Sequence, residues 1–171
     1  MKVLLIGSTG QLGKSVIEGK PNNVKLIAPN REDLNLLDIK NIKEKIININ
    51  PDWIINCGAF TNVDLSEKKP REGLLINYLA IKEIALATIA VNAKLIHFST
   101  DYVFDGKSTI PYKPSSERNP INQYGKSKAL GEKEIENILE LNNAVIIRTS
   151  WLVSHIGDNF VRKILSFHQQ N

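Results

Sequence analysis

The sequence predicts an α/β fold built on a doubly wound parallel sheet, on three observations. Five short apolar runs recur along the chain, at 3–6, 24–28, 53–57, 94–98 and 144–147. Stretches with apolar residues three and four apart separate most of them, and a glycine-rich turn follows the first run at once. Continuous apolar runs suit strands buried on both faces, and alternation with helices implies parallel strands joined by crossovers.

The first run, Val3-Leu4-Leu5-Ile6, leads into Gly7-Ser8-Thr9-Gly10-Gln11-Leu12-Gly13 and then an amphipathic stretch from Lys14 to Lys20. A strand–turn–helix of this kind offers free backbone N–H groups and a positive helix end to a pyrophosphate. Glycines there permit unusual dihedrals and close approach of the phosphate. The spacing is GxxGxxG rather than GxGxxG, and directly after a first strand it points to a dinucleotide. At the end of the second run, an acid would bind a ribose 2′-hydroxyl and an arginine would accept a 2′-phosphate. Asn30 and Arg31 stand there, with Asp33 as a rival acid beyond the strand end. The pair leans to NADP(H) and leaves NAD(H) open.

Ile39 to Ile49 reads as a helix ended before Pro51, and Trp53 to Cys57 as the third strand. Gly58-Ala59-Phe60-Thr61 follows, and small residues at a strand end let a flat cofactor lie close to the backbone. Pro70 to Val91 is dense enough in apolar residues for a long, well-buried helix. In the fourth strand His97 is expected to be structural, as is the thiol of Cys57. Ser99-Thr100-Asp101-Tyr102-Val103-Phe104-Asp105-Gly106 begins at that strand's carboxyl end, where open α/β sheets bind ligands. A long loop from Gly106 to Pro120 is expected to be functional or mobile. A helix then opens at Asn122, with Ala129, Leu130, Ile135, Ile138 and Leu139 in helical spacing. Tyr124 and Lys128 share a face of it, about 6 Å apart along the axis. An ammonium beside a phenol favours the phenolate, so a lowered Tyr124 pKa is expected. The fifth strand ends in Arg148-Thr149-Ser150-Trp151, and Asp158 to Gln170 reads as a last helix.

Of 171 residues, 42% are hydrophobic and 23% charged, ordinary for a globular domain. The net charge of +4 is spread among scattered lysines and arginines, which argues against a nucleic-acid face. One cysteine excludes a disulfide framework and suggests a reducing compartment. No signal-like segment opens the chain and no apolar run approaches membrane-spanning length, so a cytoplasmic protein without membrane contact is expected. No His/Cys/Asp/Glu spacing suggests zinc. Without a repeat or linker, residues 1–171 are expected to form one domain.

The blocks GSTGQLG (7–13), PDWIINCGAFTNVD (51–64), STDYVFDG (99–106), NPINQYGKSKALGE (119–132) and RTSW (148–151) resemble the dTDP-4-dehydrorhamnose reductase family. That family belongs to the extended short-chain dehydrogenase/reductases, and the resemblance implies a Rossmann-type NAD(P)-binding domain. It implies NAD(P)H-dependent reduction of the 4-keto group of dTDP-4-dehydro-L-rhamnose to dTDP-L-rhamnose. Thr100, Tyr124 and Lys128 match its catalytic positions. Gly10, Gln11, Leu12, Asn30, Asp38, Ile39, Ala59, Phe60 and Thr61 match positions that contact NADPH or NADH, alongside Gly7, Gly13, Tyr124 and Lys128. Thr100, Asp101 and Trp151 match contacts to the nucleotide-sugar substrate. Ser15 stands where some relatives have a glutamate linked to magnesium, so no metal is expected. Family members continue into a small substrate-binding lobe, which the resemblance implies is largely absent here. That implies exposed apolar faces and either a homodimer or a completing partner chain. The methionine adenosyltransferase regulatory subunit resembles the same family, which leaves a non-catalytic NAD(P)-binding subunit or an inactive remnant as the alternative.

Overall fold

In a computed structural model the chain is described over residues 1–140, 142–157 and 159–169. Its five apolar runs become β1 (Lys2–Ile6), β2 (Lys25–Ile27), β3 (Trp53–Asn56), β4 (Lys94–Thr100) and β5 (Ala144–Thr149). All pair in parallel, in the order β2-β1-β3-β4-β5. Because β2 lies to one side of β1 and the later strands to the other, the winding reverses between β1 and β3. Open sheets bind ligands at the carboxyl ends of the strands flanking such a reversal.

The helices are α1 (Gln11–Glu18), α2 (Ile39–Ile49), α3 (Val63–Lys68), α4 (Pro70–Leu74), α5 (Ala80–Ala90), α6 (Gln123–Ile138) and α7 (Phe160–Gln169). Leu4, Ile6, Ile54 and Leu95 from the sheet meet Ile42 and Ile46 of α2, Ile81 and Ile84 of α5, and Ile135 of α6 in one core. Ala80, Ala85 and Ala87 let α5 lie close to its neighbours, since small side chains shorten the packing distance.

Four expectations are revised. The first helix starts at Gln11 rather than Lys14, because Gly10 already takes the N-cap position. A helix at Val63–Lys68 was not expected; it is six residues long and held by its cap, Asn62 Oδ1 accepting from Leu65 N at 2.8 Å. The long helix is interrupted by a π turn at Leu75–Leu79. Finally, Pro70–Ala90 is 21 residues long and apolar enough to cross a membrane by length and composition. Ile81, Ile84, Ala85 and Ala87 are nonetheless wholly buried beneath the sheet, which makes this the core helix of the domain. The last helix runs from Phe160, and the expected ends at Asp158 and Gln170 lie outside the described residues. Phe160, Val161, Ile164 and Leu165 of α7 are exposed, as are Val145 and Ile147 of β5.

The long loop before α6 is tied down. Tyr112 stacks on Phe104 with ring centroids 4.3 Å apart and donates its hydroxyl to Asp105 Oδ1 at 2.6 Å. Arg118 and Arg148 reach from this loop and from β5 to the wholly buried carboxylate of Glu132 on α6, at 2.9 and 2.7 Å. Burial alone would push Glu132 up. The hydrogen bonds from Arg148 and Arg118, with the Ser99 hydroxyl close by, outweigh it and hold the carboxyl below its usual range. A depressed carboxyl contributes stability above its unfolded pKa of about 4.3, lost as pH falls through the folded value. Glu132→Gln should therefore cost about 3 kcal/mol at neutral pH, by leaving two arginines without their buried partner. It should also flatten the acid limb of stability below about pH 4 in urea titrations at stepped pH.

The other constraint on α6 is steric. A methyl group on Gly131 would overlap the Asn77 carbonyl oxygen in the π turn. Gly131→Ala should lower stability by about 2 kcal/mol, read as a shifted denaturation midpoint, because the backbone it meets cannot yield as a side chain could.

Candidate functional site

A cavity of about 530 Å³ lies at the carboxyl ends of the strands, between the start of α1 and the face of α6. Gly10, Gln11, Leu12, Ala59, Thr61, Thr100, Asp101, Tyr124, Lys128 and Trp151 all line it. A second hollow of about 200 Å³ shares Gly10, Cys57 and Ala59 with it and runs to the end of β2, past Gly7, Asn30, Arg31, Asn35 and Leu36.

The turn after β1 explains the adjoining walls. Gly7 takes φ +82°, and a Cβ there would collide with the backbone of Gly58, so β1 and the segment after β3 close up at the winding reversal. Gly10 caps α1 without any side-chain hydrogen bond, and no acid stands in the first helical turn. The N–H groups of that turn therefore face the cavity without a side-chain competitor. A diphosphate fits this cradle, since it needs donors, a positive helix end and no repelling carboxylate. At the end of β2, Asn30 Oδ1 is taken by the backbone N–H groups of Glu32 and Asp33, at 2.7 and 3.0 Å. Only its NH₂ is left to a ligand, beside the exposed Arg31.

Not every expected residue reaches the cavities. Asp38 and Ile39 sit at the N-terminus of α2 and line neither; Asn35 and Leu36 take that place. The chain turns into α2 before it can bring Asp38 back to the strand ends. Gly13 is buried in α1 behind the turn. Phe60 is also outside the lining, yet its backbone is fixed there: Asn77 Oδ1 accepts from Phe60 N at 2.8 Å and Asn77 Nδ2 donates to Phe60 O at 2.9 Å. Asn77 Nδ2 also donates to Ser127 Oγ at 3.0 Å, which ties this segment to α6. The sequence places Asn77 in the long, well-buried helix without giving it a role; a carboxamide in such a helix is the available signal.

Lys128 is 1% exposed, and its Nζ donates to Phe98 O at 2.7 Å and stands 3.2 Å from His97 Nε2. Burial lowers its pKa to about 8, against the opposing pull of Glu132. The expected lowering of Tyr124 is corrected: its pKa is raised, first by burial, with the Thr100 hydroxyl opposing and Asp101 and Tyr102 adding to the rise. The physical reason is that Lys128 Nζ is turned to the β4 backbone and His97 rather than to the phenol. Tyr124 packs edge-on against Tyr102, with centroids 5.7 Å apart. Thr100 Oγ1 donates to Asp101 Oδ1 at 3.1 Å and accepts from Tyr102 N at 3.2 Å. The Ser99 hydroxyl is buried with no hydrogen bond of normal geometry, although it lies near enough to Glu132 to help keep it ionised. Cys57 is half-buried at the cavity wall rather than fully buried, and desolvation pushes its thiol up to about 12, far from a thiolate nucleophile. Trp151 is 71% exposed in a left-handed conformation, φ +53°, with its ring edge-on to Phe160 at 4.8 Å. Among the described residues no group of three His, Cys, Asp or Glu side chains could hold a metal ion.

The RmlD substrate binding domain family matches residues 1–171. The spore coat polysaccharide biosynthesis protein SpsK of Bacillus subtilis is 39% identical over 165 residues, covering 96% of this chain and 58% of that protein. The dTDP-4-dehydrorhamnose reductase of Escherichia coli K12 is 36% identical over 169 residues, covering 96% of this chain and 56% of the relative. The crystal structure of dTDP-4-dehydrorhamnose reductase from Bacillus anthracis in complex with NADP superposes with a TM-score of 0.94. It is 34% identical and covers 99% of this chain and 60% of its own. The chain thus spans a little over half the length of these relatives.

The buried lysine has a measurable signature. Its folded pKa of about 8 lies below the ordinary lysine value of 10.5, so between these limits the unfolded chain binds more protons and stability rises with pH. The shift corresponds to roughly 3 kcal/mol of destabilisation below the lower limit. Lys128→Met should be more stable than the parent at pH 7 and lose the rise between about pH 8 and 10.5, checked by chemical denaturation across that range.

Proposed function

Because the chain belongs to the RmlD substrate binding domain family, we propose that it binds NADPH or NADH and reduces the 4-keto group of dTDP-4-dehydro-L-rhamnose. One observation carries the reading: Thr100, Tyr124 and Lys128 line a single cavity that opens directly onto the glycine turn. The intact set favours a reductase over a non-catalytic binding subunit.

In this reading the open N–H groups at Gln11 and Leu12 hold the cofactor diphosphate, and Ala59 and Thr61 flank it. The Asn30 NH₂ and the Arg31 guanidinium suit a 2′-phosphate, since both donate and neither repels an anion; this favours NADPH. The bound nicotinamide supplies the reducing equivalent. Tyr124 donates its proton to the keto oxygen. The phenol is protonated at neutral pH, so its proton is in place at the oxygen where negative charge develops, while the raised pKa makes it a weaker donor than an ordinary phenol. Thr100 hydrogen-bonds the same oxygen and aligns it. Lys128 meets the hydroxyls of the nicotinamide ribose. Asp101 and Trp151, at the open rim, contact the sugar nucleotide.

NADPH should bind saturably in isothermal calorimetry, and an absence of binding at millimolar cofactor sinks the dinucleotide reading. With the keto sugar as substrate, Tyr124→Phe should lower kcat about 10²–10⁴-fold while leaving NADPH affinity close to the parent value. An unchanged kcat removes Tyr124 from the mechanism.

A further inference from the structure

Beneath the cavity a buried chain of polar groups runs from β3 to α6. Asn56 on β3 and His97 on β4 are register partners, 1% and 0% exposed. Asn56 Oδ1 accepts from Gly58 N at 3.0 Å, Asn56 Nδ2 stands 3.0 Å from His97 Nδ1, and His97 Nε2 stands 3.2 Å from Lys128 Nζ. The directions of these bonds follow from the first one. A backbone N–H can only donate, so the Gly58 amide fixes the carboxamide with its oxygen toward Gly58 and its NH₂ toward His97. The NH₂ also only donates, so Nδ1 must be bare. A neutral imidazole carries one ring proton, which then sits on Nε2, facing Lys128. Two N–H donors cannot share one contact, so Lys128 must offer a lone pair there while donating to Phe98 O.

We propose that Gly58 and Asn56 fix the tautomer of His97 so that its Nε2–H is donated to Lys128, and that this contact favours the neutral amine of Lys128 over its ammonium. His97 and Asn56 are positioning residues acting on the pair above them. The titratable groups around Lys128 are Tyr124 and Glu132 on its own helix, His97 beneath, and Cys57 and Asp101 on the cavity wall. Of these Glu132 favours the charged amine, and burial opposes it more strongly. His97 itself stays uncharged, since burial and then Lys128 push its pKa well below the usual range. The proposal deepens the reading of Lys128 as the residue that meets the nicotinamide ribose. Lys128 becomes an ammonium beside Tyr124 only by giving up the His97 contact, so the charge of the pair depends on the position of one side chain.

The test uses the full chain, labelled with ¹⁵N and ¹³C, without cofactor. Long-range ¹H–¹⁵N spectra of His97 should show the Nε2–H tautomer with a bare Nδ1; an Nδ1–H tautomer overturns the proposal. Protonating Lys128 removes its lone pair, so Lys128 Cε and the His97 ring nitrogens should shift with one common midpoint as pH falls. Separate midpoints overturn the coupling, whatever a variant does. In Asn56→Asp a carboxylate accepts from Gly58 N and from Nδ1–H, which moves the ring proton and frees Nε2 to accept from an ammonium. Its Lys128 midpoint should rise by a pH unit or more, about tenfold in proton affinity. A swapped tautomer with an unmoved midpoint contradicts the proposed control of charge. None of these measurements needs NADPH, so a failure to bind cofactor leaves the tautomer result standing, and a wrong tautomer leaves the cofactor reading standing.

Discussion

The closeness of α6 to the helix that precedes β4 is the constraint on which the rest of the site depends. Gly131 lets the two backbones meet at Asn77, and the π turn there puts the Asn77 carboxamide between α6 and the segment after β3. One buried side chain then fixes Phe60 through both backbone groups and fixes Ser127, whose hydroxyl donates to the Tyr124 carbonyl at 2.8 Å. The wall facing the glycine turn and the start of the helix bearing Tyr124 are thus held by the same group. A single π turn at such a place is how an otherwise regular helix can present one polar group off its normal face.

The same helix buries two opposite charges one turn apart and accommodates them differently. Glu132 is ionised because two arginines reach it, and the arginines come from the loop and from β5, so the pairing also fastens α6 to both. Among the described residues no carboxylate pairs with Lys128; burial lowers its proton affinity instead, and its nitrogen turns to a carbonyl and an imidazole. A structural ion pair and a tuned amine are the two outcomes open to a buried charge. That the tuned one lines the cavity, and the paired one does not, fits a site in which Lys128 is the group with work to do.

The sheet was legible because a strand buried on both faces must be apolar throughout, and runs such as Val3–Ile6 and Trp53–Asn56 admit few other readings. The glycine turn, Thr100, Tyr124 and Lys128 were legible as a set, because each follows a strand end or opens a helix. What sequence could not show was orientation. Spacing places Tyr124 and Lys128 on one face, but the rotamer that turns Nζ toward His97 depends on β4 lying beneath, which no local pattern encodes. His97 was read as structural and is packed as one, yet its ring is also the partner of Lys128. Asp38 and Ile39 were carried over by family resemblance and fall outside both cavities, while Asn35 and Leu36 line one through the path of an irregular segment. Val63–Lys68 escaped notice because six mostly polar residues carry no periodicity, only a cap.

The central claim is that a dinucleotide lies across the winding reversal, from the end of β2 to Tyr124. Amide chemical-shift mapping during an NADPH titration of the ¹⁵N-labelled chain tests it most directly. A dinucleotide in that place should concentrate the shifts at Gly7–Leu12, Asn30–Arg31, Ala59–Thr61 and the first turns of α6. Shifts confined to the separate hollow between Pro114–Arg118 and Leu130–Lys133, with the glycine turn unmoved, would contradict it.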